Sequence, residues 1–234
     1  NLDCPKLNHV KHSDYIPAEY LPTFSANTIE MNIHRIPDLA EHFVFFNDDM
    51  FLVRPMAEDA FFREGLPCTY GGEVPVAFAG NPGIWQHLMV NDLRVINNHF
   101  RKAEQTAKYR KKYIHSSYRW QDNVRTLALE KLFPEAFLGF KNLHAPAAFL
   151  KSTFETLWEK EPELLHKPCA SRFRSNEDVN QWLALWWQVA AGQFMPYMVD
   201  NVVSDVTEDT ADGLCAQVVI SDDLGLLDAL AQQC

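Results

Sequence analysis

The sequence predicts an α/β fold within a single domain. Two short apolar runs, residues 43–46 and residues 216–220, are rich in aromatic or β-branched side chains, as buried strands are. The long segment between them has mainly helical periodicity. A chain of 234 residues fits one such domain and is long enough to bury a substantial core.

The composition is that of a globular protein and narrows the range of partners. Hydrophobic residues make up 47% and aromatic residues 12% of the chain, and no low-complexity tract indicates disorder. The formal net charge of -10 and the isoelectric point near 5.3 argue against nucleic acid as a partner. An acidic protein that binds an anionic substrate needs a metal ion or a local cluster of arginine and lysine.

Cysteine spacing and the termini indicate the setting of the protein. The five cysteines are widely spaced and form no CxxC pair, which favours a reducing compartment and predicts no structural zinc site. No apolar run approaches the ~18–20 residues that span a bilayer, and no signal peptide is visible. The sequence lacks an initiator methionine and opens like the middle of a domain, so we expect further residues upstream.

Acidic residues follow both predicted strands. Asn47, Asp48 and Asp49 come directly after the first strand, and Asp222 and Asp223 come after the second. Open α/β sheets bind ligands at the carboxyl ends of their strands, and carboxylates hold Mg²⁺ together with substrate phosphates. Asn and Asp also form turns, so a simple hairpin turn is the alternative. Because two strands end in the same way, we expect Asp48, Asp49 and Asp222 to converge on one metal or phosphate site.

A short helix is predicted from Asn27 until Pro37 ends it. Glu30 follows Asn27 at the spacing of a capping box. Glu30 and His34 are four residues apart and therefore project from one face of this helix, with Arg35 beside them. This arrangement forms either a local salt bridge or part of a binding surface.

Positive charge is concentrated in the helical segment of residues 85–133, although the chain as a whole is acidic. Two interpretations remain open for this concentration. One is a solvated helix face, and the other is a docking surface for acidic glycan or for lipid phosphate. The basic residues concerned are Lys102, Lys108, Arg110, Lys111 and Lys112.

Two further helices are predicted towards the C-terminus. The first covers residues 149–160. The second follows Ser175, whose spacing to Asp178 is a variant of the capping box, and its tryptophans are predicted to be core rather than a sugar platform. Arg172 and Arg174 would then precede a helix N-terminus, where backbone N–H groups favour anions. A guanidinium at such a place can bind phosphate in a bidentate manner.

Three ordered blocks of this sequence resemble the Stealth proteins. That family includes bacterial capsular polysaccharide phosphotransferases and the catalytic subunit of the animal lysosomal-enzyme N-acetylglucosamine-1-phosphotransferase. The family's first block is absent from this chain, and Ser25-Ala26 and Ser221 depart from its usual residues. The matching residues are Leu21-Pro22-Thr23-Phe24, Ile29-Glu30, His34-Arg35-Ile36-Pro37 and Phe46-Asn47-Asp48-Asp49, then His144-Ala145-Pro146 with residues 172–178, and finally Val219-Ile220-Ser221-Asp222-Asp223.

The resemblance implies an enzyme that transfers a sugar 1-phosphate from a nucleotide sugar, expected to be a UDP-sugar, to a hydroxyl of a polysaccharide or oligosaccharide acceptor. It also implies a nucleotide-sugar-binding α/β/α sandwich, which is Rossmann-like and similar to the glycosyltransferase-A fold, with helical insertions. The whole of residues 1–234 would be one catalytic domain without its first block. Such an enzyme would be cytoplasmic or at the inner face of the membrane, with peripheral contacts to the membrane or to the capsule-assembly machinery.

The resemblance also assigns roles to individual residues. Asp48, Asp49 and Asp222 would hold Mg²⁺ or Mn²⁺, and Asp49 and Asp222 would also take part in catalysis. His144 would act at the transferred phosphate as a proton acceptor or as a hydrogen-bond donor. The phosphoryl oxygens would be stabilised by Arg174 together with Arg172. The residues expected to bind or orient the donor are Glu30, His34, Arg35 and Asn47.

Two alternatives to sugar-phosphate transfer remain at the level of sequence. A metal-dependent glycosyltransferase would use the same acidic site but would break the bond at the sugar C1. A chain that lacks the first block of the family could instead be a non-catalytic assembly partner in capsule synthesis.

Overall fold

The computed structural model describes residues 6–48, 50–52, 56–57, 59–78, 80–142 and 145–197, together with the backbone of two strands at 203–205 and 215–217. The fold is mixed α/β, which confirms the predicted class. Seven helices occur among these residues: α1 (Ala26–Met31), α2 (Ile84–His99), α3 (Lys102–Tyr113), α4 (Trp120–Leu132), α5 (Lys151–Lys160), α6 (Pro162–Ala170) and α7 (Gln181–Ala190). The strands are β1 (His42–Phe45), β2 (Met50–Leu52), β3 (Phe62–Arg63), β4 (Leu66–Thr69), β5 (Ala147–Leu150), β6 (Met195–Pro196), β7 (Val203–Asp205) and β8 (Cys215–Gln217).

The described strands form three small sheets. Strand β1 pairs antiparallel with β5, so that His42 lies opposite Leu150 and Phe45 opposite Ala147. Strand β4 pairs antiparallel with β3 and parallel with β6. Strand β8 pairs antiparallel with β2 and parallel with β7. The first predicted strand is present as β1. The second, residues 216–220, overlaps β8 at residues 216–217, and its other residues lie outside the described part of the chain. Strand β8 pairs with β2 and β7.

The first predicted strand is less buried than its apolar sequence suggests. Phe43 is buried, whereas Val44 and Phe45 are half-buried. Phe46 follows the strand and is 37% exposed. The partial exposure is consistent with a strand that has one described partner strand.

Helix α7 lies at the centre of the hydrophobic core. Nine of its ten residues are buried, and the indole N–H of Trp186 donates to Asn142 Oδ1 at 2.6 Å. Its side chains pack with buried residues of β5 and α5, chiefly Phe149, Phe154 and Leu157. Of the two tryptophans predicted to be core, Trp186 is fully buried, which confirms the prediction, whereas Trp182 is half-buried.

The start of α7 differs from the prediction. Asn180 caps the helix, because its side-chain oxygen accepts a hydrogen bond from the backbone N–H of Trp182 at 3.0 Å. Ser175 and Asp178 bond to each other at 2.6 Å within the preceding loop instead of capping a helix. At the other end, Gly192 has φ +70° and a Cβ there would collide with the Tyr109 ring, so glycine is required.

Two other helix predictions need their boundaries corrected. Helix α1 ends at Met31, and a short 3-10 turn, Ile33–Arg35, follows it. The cause is Asn32, whose side-chain amide donates to the Thr28 carbonyl at 2.8 Å and so competes with the backbone. Helix α5 begins at Lys151 rather than at 149, since the two preceding residues pair with β1.

The central helical segment is confirmed as α2, α3 and α4, but one of its basic residues is not at the surface. Lys102 is 1% exposed and its ammonium contacts the carboxylate of Glu73 at 2.6 Å. Lys102 is therefore buried in an ion pair and does not belong to the exposed basic surface of this segment. Among the described residues, no helix is both long and apolar enough to cross a membrane.

Candidate functional site

A buried carboxylate connects two of the segments that match the family, residues 21–49 and residues 172–178. Asp178 is fully buried, and its Oδ2 accepts a hydrogen bond from the side-chain amide of Asn27 on α1 at 2.8 Å. The same carboxylate accepts from the hydroxyl of Ser175 at 2.6 Å and from its backbone N–H at 3.1 Å. Asn91 on α2 donates to the Asp178 carbonyl at 2.8 Å. The loop of residues 171–180 is therefore fixed against both α1 and α2.

Glu30 projects from α1 to the beginning of α7. Its Oε2 accepts a hydrogen bond from the backbone N–H of Gln181 at 3.3 Å, and the residue is 9% exposed. Burial raises the pKa of Glu30 to about 7, while the Gln181 N–H and the Arg174 guanidinium act in the opposite direction. A carboxyl with this pKa changes its protonation state near neutral pH, as acid–base catalysts do.

A second buried acid lies beside Glu30. Asp92 on α2 is fully buried. Burial raises its pKa well above the usual range, the backbone N–H of Asn180 opposes the shift, and the nearby Glu30 carboxyl adds to it. Burial therefore favours the neutral form of the Asp92 carboxyl.

Arg174 lies close enough to Glu30 to affect the pKa of its carboxyl, although neither Arg174 nor Arg172 lies at the predicted helix N-terminus. Helix α7 begins seven residues after Arg174, and Arg172 instead follows the C-terminal end of α6. Both side chains are exposed. The Arg174 guanidinium lies 5.7 Å from the centroid of the Trp85 ring. The Arg172 carbonyl accepts a hydrogen bond from the backbone N–H of Phe24 at 2.8 Å.

His34 and Arg35 have different surroundings, although they are adjacent. His34 is 8% exposed and stacks on Phe154, with 6.2 Å between the ring centroids. Burial lowers the pKa of His34 to about 4, and the Arg35 charge adds to this effect, so the imidazole is neutral. Arg35 is exposed, and its guanidinium lies 4.8 Å from the Trp158 centroid while its Nε donates to Asn32 at 3.0 Å. Glu30 and His34 therefore have different neighbours: Glu30 contacts the start of α7, and His34 packs against two aromatic rings of α5.

The acidic end of β1 is a turn that leads into β2. The backbone N–H of Met50 donates to the Asn47 carbonyl at 3.2 Å, which closes the turn. The Asp48 side chain is exposed and Asn47 is half-buried. Asp49, His144 and Asp222 lie outside the described residues. The predicted convergence of Asp48, Asp49 and Asp222 and the predicted role of His144 therefore stay predictions.

The fit of a metal ion can be judged from Asp48 alone among its three predicted ligands. A carboxylate oxygen is a suitable ligand for Mg²⁺ or Mn²⁺, and the exposed side chain is accessible to one. Within the described part of the chain, no group of three or more His, Cys, Asp or Glu side chains is arranged to hold a metal ion. A single exposed carboxylate does not make a metal site, so the predicted site of Asp48, Asp49 and Asp222 stays a prediction.

Sequence reasoning missed the contributions of Asp178 and Asp92. Asp178 was predicted to be part of a helix cap, whereas it joins segments 151 residues apart in the sequence. Asp92 lies on the buried stripe of α2 with Leu88, Val95 and Ile96. An aspartate at a position where the helical repeat predicts an apolar residue indicates a buried acid.

Fold and site together define a mixed α/β protein in which an exposed arginine lies close to a nearly buried carboxyl. Comparison with known families is more specific. Residues 1–68 match the model of Stealth protein CR2, conserved region 2, and relatives named as polysaccharide phosphotransferases cover most of the chain. The chain belongs to the Stealth family.

Three relatives illustrate the similarity. A capsular polysaccharide phosphotransferase of Streptococcus pneumoniae is 36% identical over 192 residues, which are 82% of this chain and 56% of the relative. A receptor polysaccharide phosphotransferase of Streptococcus gordonii is 40% identical over 199 residues, or 83% and 57%. An exopolysaccharide phosphotransferase of Lactiplantibacillus plantarum is 33% identical over 195 residues, or 82% and 55%. The chain thus spans little more than half the length of these relatives.

Proposed function

We propose that this chain is the catalytic part of a sugar-1-phosphate transferase in capsular or exopolysaccharide synthesis. The names of its relatives support phosphotransfer to polysaccharide. The observation that carries the proposal is the proximity of Glu30 and Arg174, which come from separate blocks of the family resemblance: the Arg174 guanidinium lowers the pKa of the buried Glu30 carboxyl. A cation beside a carboxyl that titrates near neutral pH suits the transfer of an anionic phosphoryl group.

The proposed reaction breaks one bond and forms another at phosphorus. The acceptor hydroxyl attacks the β-phosphorus of a nucleotide sugar, nucleoside monophosphate leaves, and the sugar C1–O bond stays intact. Arg174 and Arg172 would stabilise the phosphoryl oxygens, as their exposed guanidinium groups allow. Glu30 or Asp49 would accept the proton of the acceptor hydroxyl, while His144 would contact the transferred phosphate.

A divalent cation would be held by Asp48, Asp49 and Asp222. When bound, Mg²⁺ or Mn²⁺ neutralises the charge that develops on the diphosphate. We also propose the finer features of the family here: a Rossmann-like, glycosyltransferase-A-like sandwich, a UDP-sugar donor, and a site of action in the cytoplasm.

The decisive experiment identifies the products. The native-length gene product is incubated with Mg²⁺ or Mn²⁺, a UDP-sugar and an oligosaccharide acceptor. Phosphorus NMR should show a phosphodiester in the glycan, and the nucleotide released should be the monophosphate. Release of the diphosphate with a phosphorus-free glycan would establish a glycosyltransferase instead. Absence of turnover with every donor would favour the assembly partner.

Single variants then test the roles of the residues. Arg174→Ala and His144→Ala should each abolish turnover, while the melting temperature stays close to that of the parent, because Arg174 is exposed. Arg101→Ala is the matched control, since Arg101 is an exposed arginine at the start of α3. Loss of activity in step with unfolding would mean that Arg174 and His144 are structural.

A further inference from the structure

Helix α4 presents an apolar face to solvent. Of its thirteen residues, all of them described, Thr126 alone is buried. Trp120, Val124 and Leu127 follow one another at helical spacing and are 71%, 53% and 39% exposed, and Leu132 at the end of the helix is 69% exposed. A helix on the surface of a soluble protein normally has the opposite arrangement, with its polar face outward.

A basic helix flanks this apolar face. The Lys102 ammonium donates to the Leu129 carbonyl at 2.9 Å, and the backbone N–H of His115 donates to Asn123 at 3.1 Å. Helices α3 and α4 therefore run antiparallel, side by side, with Thr106 and Thr126 buried on their inner sides. This pair carries the exposed cations Lys108 and Lys111 of α3 and Lys131 of α4, whereas the Arg110 guanidinium pairs with the Glu130 carboxylate of α4 at 2.6 Å.

We propose that the outward surface of α3 and α4 docks on an anionic lipid bilayer. We call it the hairpin surface, consisting of Trp120, Val124, Leu127 and Leu132 with the exposed cations Lys108, Lys111 and Lys131. A contiguous exposed apolar patch marks an interaction site. A basic helix next to an apolar face matches the lipid–water interface, where tryptophan is favoured and each lysine gains from anionic headgroups.

The charge distribution favours lipid over a second copy of the chain. The chain as a whole has a net charge of -10, whereas the hairpin surface carries exposed lysines. In a two-fold dimer the hairpin surfaces would meet each other and bring like charges together. In an anionic bilayer, the acyl chains can instead accommodate the apolar side chains of α4, and the anionic headgroups can pair with the lysines.

The inference goes beyond the proposed function and can fail separately from it. Helices α3 and α4 contribute none of the residues assigned to phosphotransfer. Binding to vesicles requires neither donor nor acceptor, whereas phosphotransfer to a soluble oligosaccharide requires no lipid.

The test measures binding of the chain to vesicles by co-sedimentation. Vesicles of phosphatidylcholine mixed with phosphatidylglycerol should bind the chain, and vesicles of phosphatidylcholine alone should bind it much more weakly. Both the Trp120→Ser/Val124→Ser variant and the Lys108→Gln/Lys111→Gln variant should weaken binding to the mixed vesicles roughly tenfold or more. These substitutions lie at exposed positions, so the melting temperature should not change.

Two control variants remove exposed apolar residues or exposed lysines that lie outside the hairpin surface. Leu7→Ser/Phe78→Ser changes two apolar residues that are 53% and 48% exposed, and Lys6→Gln/Lys11→Gln changes two exposed lysines. Both controls should bind mixed vesicles as the parent does.

Three results would overturn the proposal. The first is no binding to mixed vesicles at low salt, and the second is an equal loss of binding in the controls. The third is a doubled mass by light scattering that Trp120→Ser/Val124→Ser abolishes, without vesicle binding, because the hairpin surface would then be an interface between copies of the chain.

Discussion

Helices α7 and α4 are both rich in apolar side chains, yet they occupy opposite environments. Nine of the ten residues of α7 are buried, including Trp186. In α4 only one of thirteen is buried, and Trp120 is 71% exposed. Helix α7 packs against α2, α5 and β5, whereas α4 packs on its inner side against α3.

The comparison teaches that apolar content does not by itself determine burial. A side chain is buried when neighbouring elements cover it, and α7 has neighbours around its whole circumference. The α3–α4 pair even places a charged contact, Lys102 with Glu73, on its inner side while apolar residues face outward. Four predictions, in order of decreasing effect, test which side chains are buried and which are exposed.

The largest effect is expected at Trp186 in α7. Trp186→Ala should lower the free energy of unfolding by about 3–5 kcal/mol, because it leaves a cavity in the core and removes the hydrogen bond to Asn142. Chemical denaturation followed by circular dichroism measures the change. A loss below about 1 kcal/mol would mean that α7 is not packed as described.

A comparable effect is expected inside the α3–α4 pair. Lys102→Met should destabilise the protein by about 3–5 kcal/mol, because it leaves the Glu73 carboxylate buried without its cation. Chemical denaturation again provides the measurement.

The double variant Lys102→Met/Glu73→Gln is the control for that prediction. It removes both charges and should recover most of the stability. If the double variant were no more stable than Lys102→Met, packing around the lysine stem rather than the uncompensated charge would explain the loss.

The raised pKa of Glu30 predicts that the stability of the protein depends on pH. Its folded-state pKa of about 7 lies above the ordinary value of 4.5, so its contribution to stability is fully present below pH 4.5 and is lost as pH rises through 7. The cost at pH 8 is about 3 kcal/mol. Glu30→Gln keeps an acceptor for the Gln181 N–H and should therefore be more stable than the parent at pH 8.

Denaturation of the parent and of Glu30→Gln at several pH values gives the measurement. The difference between their unfolding free energies should grow from pH 4.5 to pH 7. A constant difference over this range would show that Glu30 titrates normally and is not desolvated.

The smallest effect is expected at Trp120 in α4. Trp120→Ala should change the free energy of unfolding by no more than about 0.5 kcal/mol, because the side chain is mostly in water in the free protein. The same substitution type at Trp186 is the matched comparison. A large destabilisation by Trp120→Ala would mean that part of the chain covers the outward side of α4.

Much of the local structure follows from the sequence. The apolar run at β1, the helices between residues 84 and 132, and the buried tryptophans of α7 have patterns that chain neighbours largely determine. The family resemblance in the first block is likewise confirmed by the match to conserved region 2. Boundaries were predicted less well where a side chain competes with the backbone, as Asn32 does at the end of α1.

The sequence by itself determined the α/β class, the helical segments, the acidic turn after β1 and the membership of the Stealth family. Only the tertiary structure decided that Asp178 joins α1 to a loop 151 residues away. It also decided that Glu30 is buried next to Arg174 while His34 lies among aromatic rings. The physical reason is that desolvation, pKa and charge pairing depend on which elements pack together, and local patterns do not encode these long-range contacts.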